Sequence, residues 1–160
     1  MLRSFTPVLY VRISPERLVV TNVKNGTSVS DVPDVAISGS EPKRVLACGS
    51  AARRAAAQSG GTVVNPFAHP RSLISDFSVA EQLLKTFVRQ VIGKSWFVPS
   101  PAIVIHPLGD PEGGFTQVES RAFRELARSA GASKAYLLKG AEVDPQEIAD
   151  IFDSGRRPGE

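Results

Sequence analysis

The segment from residue 115 to residue 138 constrains the fold most strongly. Thr116 and Glu119 have the spacing of a capping box, in which two side chains satisfy free backbone N–H groups at the start of a helix. Gly131 would end that helix, and the continuous apolar run at 135–138 predicts a buried strand. Four side chains at helical spacing are expected to face inward: Val118, Ala122, Phe123 and Leu126. A capped amphipathic helix followed by a buried strand is typical of an α/β domain.

The rest of the second half repeats this pattern. Ser78 and Glu81 have the spacing of another capping box, and Gly93 would end the helix that they start. An apolar run at 102–105 predicts a strand, and Asp144 followed by Pro145 predicts a further helix start. The apolar stripes of these two helices are Leu83, Leu84, Phe87, Val88 and Val91, and then Ile148, Ile151 and Phe152.

The first 30 residues favour strands. Three β-prone runs occur at 8–13, 18–23 and 27–29, and Asn25-Gly26 is a strong hairpin signal between the last two. An antiparallel meander is therefore expected first, and parallel pairing is expected where strands alternate with helices. Together these patterns predict an α/β fold with a mixed five-strand sheet and three helices.

Residues 31–75 carry few large apolar side chains and predict a small, exposed inserted subdomain. Short strands are expected at 35–37, 45–47 and 62–64. Ser50 is expected to cap a small helix that stops at Gly60-Gly61. The whole chain, 1–160, is then one domain. Its core is 8–30 and 76–153, its insertion is 31–75, and its polar tail, 154–160, is expected to be frayed.

Composition excludes several classes of function. The 19 basic and 16 acidic side chains leave a formal charge of +3, too small and too scattered for a nucleic-acid partner. A single cysteine allows no internal disulfide, which favours a reducing compartment. We find no apolar run long enough for an integral membrane segment and no secretory signal, so a cytoplasmic protein is expected. Leu2 and Phe5 at the N-terminus either contact a membrane surface peripherally or have no binding role.

Three segments carry a resemblance to a known family, the bacterial actins called MreB. They are 73–84, the Pro99-Ser100-Pro101 entry to a strand, and 116–132 with its Thr116-Gln117-Val118-Glu119 start. The resemblance spans roughly 8–151 and covers only the first large domain of the family. It implies a ribonuclease-H-like half-domain of the actin-like ATPases, a role in cell shape or the cytoskeleton, and a site for ATP and magnesium.

The chain departs from the family at that site. The family's first strand turn has an Asp-x-Gly-Thr loop, and the matching positions here are Val11, Ile13 and Ser14. A β-branched residue cannot bring the backbone as near to a phosphate as glycine does. The family's Glu-Glu-Pro after the fifth strand becomes Lys139-Gly140-Ala141, with Glu142 nearby. These losses predict no catalytic residue, no bound metal and no cofactor.

Further residues have a functional and a structural interpretation. The 108–114 loop lacks the Gly-Lys-Ser or Gly-Lys-Thr of a phosphate loop, so a surface loop is expected. His69 and His106 lack zinc-ligand spacing, and His106 is expected to be a loop histidine after its strand. Asp76 is either functional or a helix-start acid, and Cys48 is expected to be a small core residue. Trp96 and Phe97 either form an exposed contact patch or pack beneath a loop, and packing beneath a loop is the favoured interpretation.

Three functions follow as hypotheses. The first is a non-catalytic, MreB-like interaction module whose protein partner is a full-length bacterial actin or its regulators. The second is a residual ATP-binding protein that completes its site by forming a homo-oligomer. The third is an unrelated small-ligand or peptide binder on the same scaffold, because fold does not determine function.

Overall fold

A computed structural model of the chain describes residues 5–69, 72–109 and 114–159. The strands, in chain order, are β1 (Val8–Ile13), β2 (Leu18–Asn22), β3 (Ser28–Asp31), β4 (Val35–Ile37), β5 (Val45–Cys48), β6 (Thr62–Val64), β7 (Ala102–Pro107) and β8 (Lys134–Leu137). The α-helices are α1 (Ala52–Ser59), α2 (Phe77–Ile92), α3 (Gln117–Ser129) and α4 (Pro145–Asp153). A short 3₁₀ helix, Gly49–Ala51, precedes α1.

The main sheet has five strands in the order β3-β2-β1-β7-β8. β1 pairs antiparallel with β2, and β2 pairs antiparallel with β3. On its other side β1 pairs parallel with β7, which pairs parallel with β8. The predicted meander and the predicted parallel half are both confirmed, and they meet at β1.

Side-chain alternation along β1 divides the molecule into two apolar layers. Leu9, Val11 and Ile13 face a large core formed with α2 and α3. Val8 and Tyr10 belong to a smaller core on the other face, where Ile148 of α4 is fully buried. The sheet therefore has α2 and α3 on one face and α4 on the other.

Two of the expected helix starts are confirmed and one is corrected. Thr116 and Glu119 form the capping box of α3, and Asp144 caps α4 with Pro145 in the first turn. The cap of α2 is Asp76, whose carboxylate accepts a hydrogen bond from the Val79 backbone N–H. Ser78 lies inside the first turn of α2, and its expected partner Glu81 instead pairs with Lys85, one helical turn further on, at 3.3 Å.

The inward face of α3 begins later than its sequence pattern suggests. Phe123 and Leu126 are buried, Ala122 is half-buried and Val118 is 78% exposed. Five residues separate Val118 from Phe123, which rotates Val118 about 140° away from the buried direction. The expectation that Val118 faces inward was therefore wrong.

The insertion is more tightly joined to the core than expected. Its sheet has the order β5-β4-β6 with antiparallel pairing, and α1 packs on it through small alanine side chains. Val35 and Phe67 are buried within the main core, so the segment is not peripheral. Ser50 does not cap α1, whose N-cap is Ala51. The Ser50 backbone N–H and hydroxyl donate instead to the Asp31 carboxylate, at 2.9 and 3.1 Å.

The tail is also more ordered than its composition suggests. The Arg156 backbone N–H donates to the Ile151 carbonyl at 3.1 Å, and Pro158 is buried. The tail is therefore bonded to the end of α4 and reaches β8, where Gly159 lies against the Leu137 carbonyl, which corrects the expectation of a frayed end. At the other terminus Phe5 is exposed, while Leu2 lies outside the described residues. None of the helices in the described ranges is long and apolar enough to cross a membrane.

Asp31 links the last strand of the meander to the insertion, so its charge should matter to stability. Burial by itself raises the pKa of this carboxyl, but hydrogen bonds from Ser50 and Val32 and the charge of Arg17 outweigh burial and lower it below 3.8. The ionised form therefore stabilises the fold above pH 3.8, and this contribution is lost as the pH falls below that value.

We predict that Asp31→Asn lowers the free energy of unfolding at pH 7 by about 1 kcal/mol, a value reduced by the partial exposure of the carboxylate. The deficit should shrink as the pH falls below 3.8, because the wild-type carboxyl also becomes neutral there. Urea unfolding across that range measures both effects. Glu16→Gln, in an exposed turn, is the control and should change little. A deficit that is the same at every pH would contradict the charge-based explanation.

Candidate functional site

The parallel strands β1, β7 and β8 end at one edge of the sheet, where open α/β sheets place their ligands. Tyr10 and Arg12 of β1 and His106 of β7 project there, and Glu142 lies in the loop between β8 and α4. Arg12 and His106 are direct neighbours in the β1–β7 register. We call these four side chains the strand-end cluster.

Hydrogen bonds from the cluster hold the loop that follows β8. The Tyr10 hydroxyl lies 2.7 Å from His106 Nδ1, and His106 Nε2 lies 3.0 Å from the Gly140 carbonyl oxygen. The Val143 backbone N–H donates to the Tyr10 hydroxyl at 3.4 Å. A side chain from each of two strands therefore binds the loop at residues 140–143.

The chemistry of these partners determines the direction of each bond. A carbonyl oxygen can only accept, so His106 Nε2 carries the proton and donates to Gly140. In the neutral ring Nδ1 then lacks a proton and accepts from the Tyr10 hydroxyl. His106 is fully buried inside β7, which corrects the expectation that it is a loop histidine.

Arg12 supplies the positive charge of the cluster. Its guanidinium forms an ion pair with the Glu142 carboxylate, and Nη2 donates to Thr21 Oγ1 at 3.3 Å. The same group lies 5.2 Å from the centre of the Tyr10 ring, within range of a cation–π contact. The Arg12 side chain is only 18% exposed and that of Glu142 is 51% exposed, so the pair reaches from the protein interior to solvent.

Burial keeps the two aromatic members of the cluster neutral. Desolvation raises the pKa of Tyr10, although its bond with Val143 and the charge of Arg12 oppose the change. Desolvation lowers the pKa of His106, against the effects of the Gly140 carbonyl and Glu142. Near neutral pH the cluster therefore holds one cation and one anion, paired with each other.

The positions aligned with the family's phosphate loop do not face this edge. Val11 and Ile13 are buried in the large core beneath α2 and α3, on the opposite face of β1 from Tyr10 and Arg12. Ser14 lies in the turn to β2, where its hydroxyl and backbone bond to Arg17. Because side chains alternate along β1, Arg12 lies on the same face as the strand-end cluster and Val11 lies on the opposite face.

The positions aligned with the family's acidic segment have structural partners. Lys139 Nζ lies 5.4 Å from the centre of the Phe115 ring, and Ala141 is exposed. Gly140 has a φ of +88°, which favours glycine, and its carbonyl accepts from His106. Glu142 is the carboxylate that the structure brings to the strand ends, two residues beyond the aligned glycine.

Sequence reasoning missed Tyr10 and Arg12 and did not assign His106 to the site. An arginine within an apolar strand was a signal, since a buried charge requires a partner. The partner itself was not visible, because Glu142 lies 130 residues away in the chain.

The other sequence candidates do not join the cluster. Asp76 is the cap of α2, and His69 is exposed. Cys48 is half-buried with its Sγ 3.8 Å from Thr86 Oγ1, and burial raises its thiol pKa. Leu108 donates its backbone N–H to the Ile13 carbonyl at 2.7 Å, while 110–113 of the expected surface loop lie outside the described residues.

Trp96 and Phe97 correct another expectation. They are 97% and 95% exposed, so they do not pack beneath a loop. We call these two side chains the aromatic patch.

The strand-end residues do not fit a magnesium–nucleotide complex. A metal bridging phosphates needs free anionic ligands, and the one carboxylate of the cluster, Glu142, is paired with Arg12. Within the described parts of the chain, no group of three or more His, Cys, Asp or Glu residues is arranged to hold a metal ion.

Comparisons with known proteins agree with this architecture. The family model for the MreB/Mbl protein matches residues 16–143. The cell shape-determining protein MreB of Escherichia coli K12 is 35% identical over 99 residues, which is 61% of this chain and 27% of the relative. The cell shape-determining protein Mbl of Bacillus subtilis 168 is 29% identical over 125 residues, or 78% of this chain and 36% of the relative.

A solved structure, MreB5 of Spiroplasma citri bound to AMPPNP, superimposes with a TM-score of 0.67 at 16% identity. It aligns with 86% of this chain and 39% of that protein. The fold is therefore an actin-like half-domain. The chain belongs to the MreB/Mbl family, as its resemblance implied, and spans about a quarter to a third of the length of the curated relatives it matches.

We predict that Tyr10→Phe destabilises the protein by about 1–3 kcal/mol, because His106 Nδ1 and the Val143 N–H both lose a buried partner. Thermal or urea unfolding at pH 7.5 measures the change. Tyr136→Phe is the matched control: Tyr136 packs edge-on against Phe152, and its hydroxyl makes no hydrogen bond within the described residues. Equal losses from the two variants would contradict the hydrogen-bond network.

Proposed function

We propose that this chain is a non-catalytic member of the MreB/Mbl family that acts as an interaction module of the bacterial cell-shape machinery. One observation carries the proposal. The strand ends that would face a nucleotide are bonded to the chain's own loop through Arg12–Glu142 and through Tyr10 and His106.

The requirements of phosphoryl transfer support this proposal. Catalysis depends on metal ions and donors that are positioned around the phosphates before reaction. Arg12 stands at the end of the central strand and is already paired with Glu142. A metal ion placed beside that guanidinium would meet a positive charge instead of the anion it needs.

The alternative is a residual ATP-binding protein that completes its site by oligomerisation. The solved structures of Spiroplasma citri MreB5 bound to AMPPNP and to ADP are the reason to keep it. A second chain would supply additional ligands. It would still have to separate Arg12 from Glu142 and displace the loop at 140–143, so we favour the non-catalytic role.

Calorimetric titration with ATP and magnesium tests the two. We predict no measurable heat of binding and no phosphate release at any protein concentration, because the strand-end side chains are bonded to the chain's own loop. Spiroplasma citri MreB5 is the positive control. Binding that grows with protein concentration would support the oligomeric alternative and overturn our proposal.

The aromatic patch is the surface that we assign to partner contact. Contiguous exposed apolar side chains mark interaction sites more often than single ones do, and Trp is enriched among the residues that dominate binding at protein interfaces. Trp96 and Phe97 are adjacent, and nothing within the described residues covers them.

We predict that the chain co-sediments with filaments of a full-length bacterial actin from the same cell, and that Trp96→Ser with Phe97→Ser abolishes this. Phe5→Ser, which removes another exposed aromatic, is the control and should retain binding. Absence of co-sedimentation would contradict the interaction module. Flotation with lipid vesicles that depends on the same pair would reassign the patch to a membrane surface.

A further inference from the structure

The cluster contains one histidine, His106, which is buried beneath a loop that it helps to hold. We propose that the strand-end cluster is an acid-sensitive latch: protonation of His106 releases the Val143 end of the loop at residues 140–143, while the bond from His106 Nε2 to the Gly140 carbonyl persists. This inference deepens the proposed function and rests on it, because it concerns the regulation of strand ends that are bonded to the chain's own side chains.

The latch depends on a continuous series of hydrogen bonds. The Val143 N–H donates to the Tyr10 oxygen, the Tyr10 hydroxyl donates to His106 Nδ1, and His106 Nε2 donates to the Gly140 carbonyl. Both ends of the series lie on the same loop. The series is complete only while His106 Nδ1 lacks a proton.

A proton at Nδ1 reverses the middle bond. The ring nitrogen becomes a donor, so the Tyr10 hydroxyl loses its acceptor and its oxygen must accept from the ring. The hydroxyl hydrogen then has to rotate away from His106, on an oxygen that already accepts from Val143. The bond to Val143, at 3.4 Å, is the longer of the two bonds to that oxygen and is the one expected to break.

The charge adds a second driving force. The protonated ring would be a fully buried cation, and hydration of that charge requires water where the loop now lies. Arg12 of β1 repels the new charge, while Glu142 of the loop attracts it but is already paired with Arg12. Tyr10 of β1 is the titratable group in direct contact with His106, and the charge of Glu147 of α4 acts on Tyr10.

The direction of the effect follows from burial. Desolvation holds the pKa of His106 below its ordinary value of 6.5, so the loop is latched at neutral pH. The neutral ring contributes fully above pH 6.5, and this contribution is lost as the pH falls toward the lower pKa of the folded protein.

The experiment is a pH titration of the whole chain by NMR, from pH 7.5 downward, following the His106 ring and the Gly140 and Val143 amides. We expect the two amides to shift with the midpoint of His106, below 6.5. Exchange protection at Val143, corrected for the intrinsic rate, should fall about tenfold or more across the same range.

Three variants sharpen the test. His106→Gln keeps a donor toward Gly140 but does not titrate, so the transition in the loop should disappear. Tyr10→Phe removes the donor to Nδ1, so the midpoint of the His106 ring should move to higher pH, and it also removes the Val143 acceptor, so Val143 should be unprotected throughout. His69→Gln, at the other histidine of the chain, should leave the transition unchanged.

The latch is overturned if the loop amides stay constant while His106 titrates, if the transition persists in His106→Gln, or if the whole chain unfolds at the same midpoint. The wild-type titration decides the matter even if a variant fails to fold. Failure of the proposed function is separate, because it would show as ATP binding at neutral pH, where the latch is closed.

Discussion

The central strand β1 is the constraint on which the rest of the molecule depends. It pairs on both sides, and its side chains alternate between two cores. One face of β1 is wholly apolar and consists of Leu9, Val11 and Ile13. Tyr10 and Arg12 therefore lie on the other face. Because a shift of one residue would exchange the two faces, the buried aliphatic face also determines which polar groups reach the strand end.

The polar side of that strand carries a charged side chain that needs partners. A largely buried arginine is costly without a partner, and the structure provides Glu142, Thr21 and the face of Tyr10. These contacts and the bonds of His106 join the edge of the sheet to the loop before α4. A substitution that alters the side chains at this edge of the sheet is therefore expected to change the stability of the loop as well.

The insertion illustrates the same coupling at the other end of the sheet. Asp31 accepts hydrogen bonds from Ser50, and the side chain of Gly49, if it had one, would collide with the Asp31 carboxylate. Val35 of the small sheet packs within the main core. A segment poor in large apolar residues is thus held by a few specific contacts, and the boundary at residue 31 is a junction and not a free linker.

The order of elements and most of their faces could be predicted from local patterns. The capping box at Thr116, the stripe on α2 and the hairpin at Asn25-Gly26 follow from spacing alone, since each depends on residues within a turn or two. The errors were also local. Asp76 takes the cap that Ser78 was expected to form, and the first turn of α3 points Val118 outward.

The site required the tertiary structure. The sequence by itself determined the order of elements and, through its resemblance, the family and the half-domain; the loss of the phosphate-loop glycine and acids stays a prediction from the sequence. Only the folded chain decided that Arg12 meets Glu142 and that Tyr10 meets His106, 130 and 96 residues apart. The reason is physical: periodicity and caps are short-range signals, whereas these partners are set by the register of β1 against β7 and by the path of the loop that follows β8.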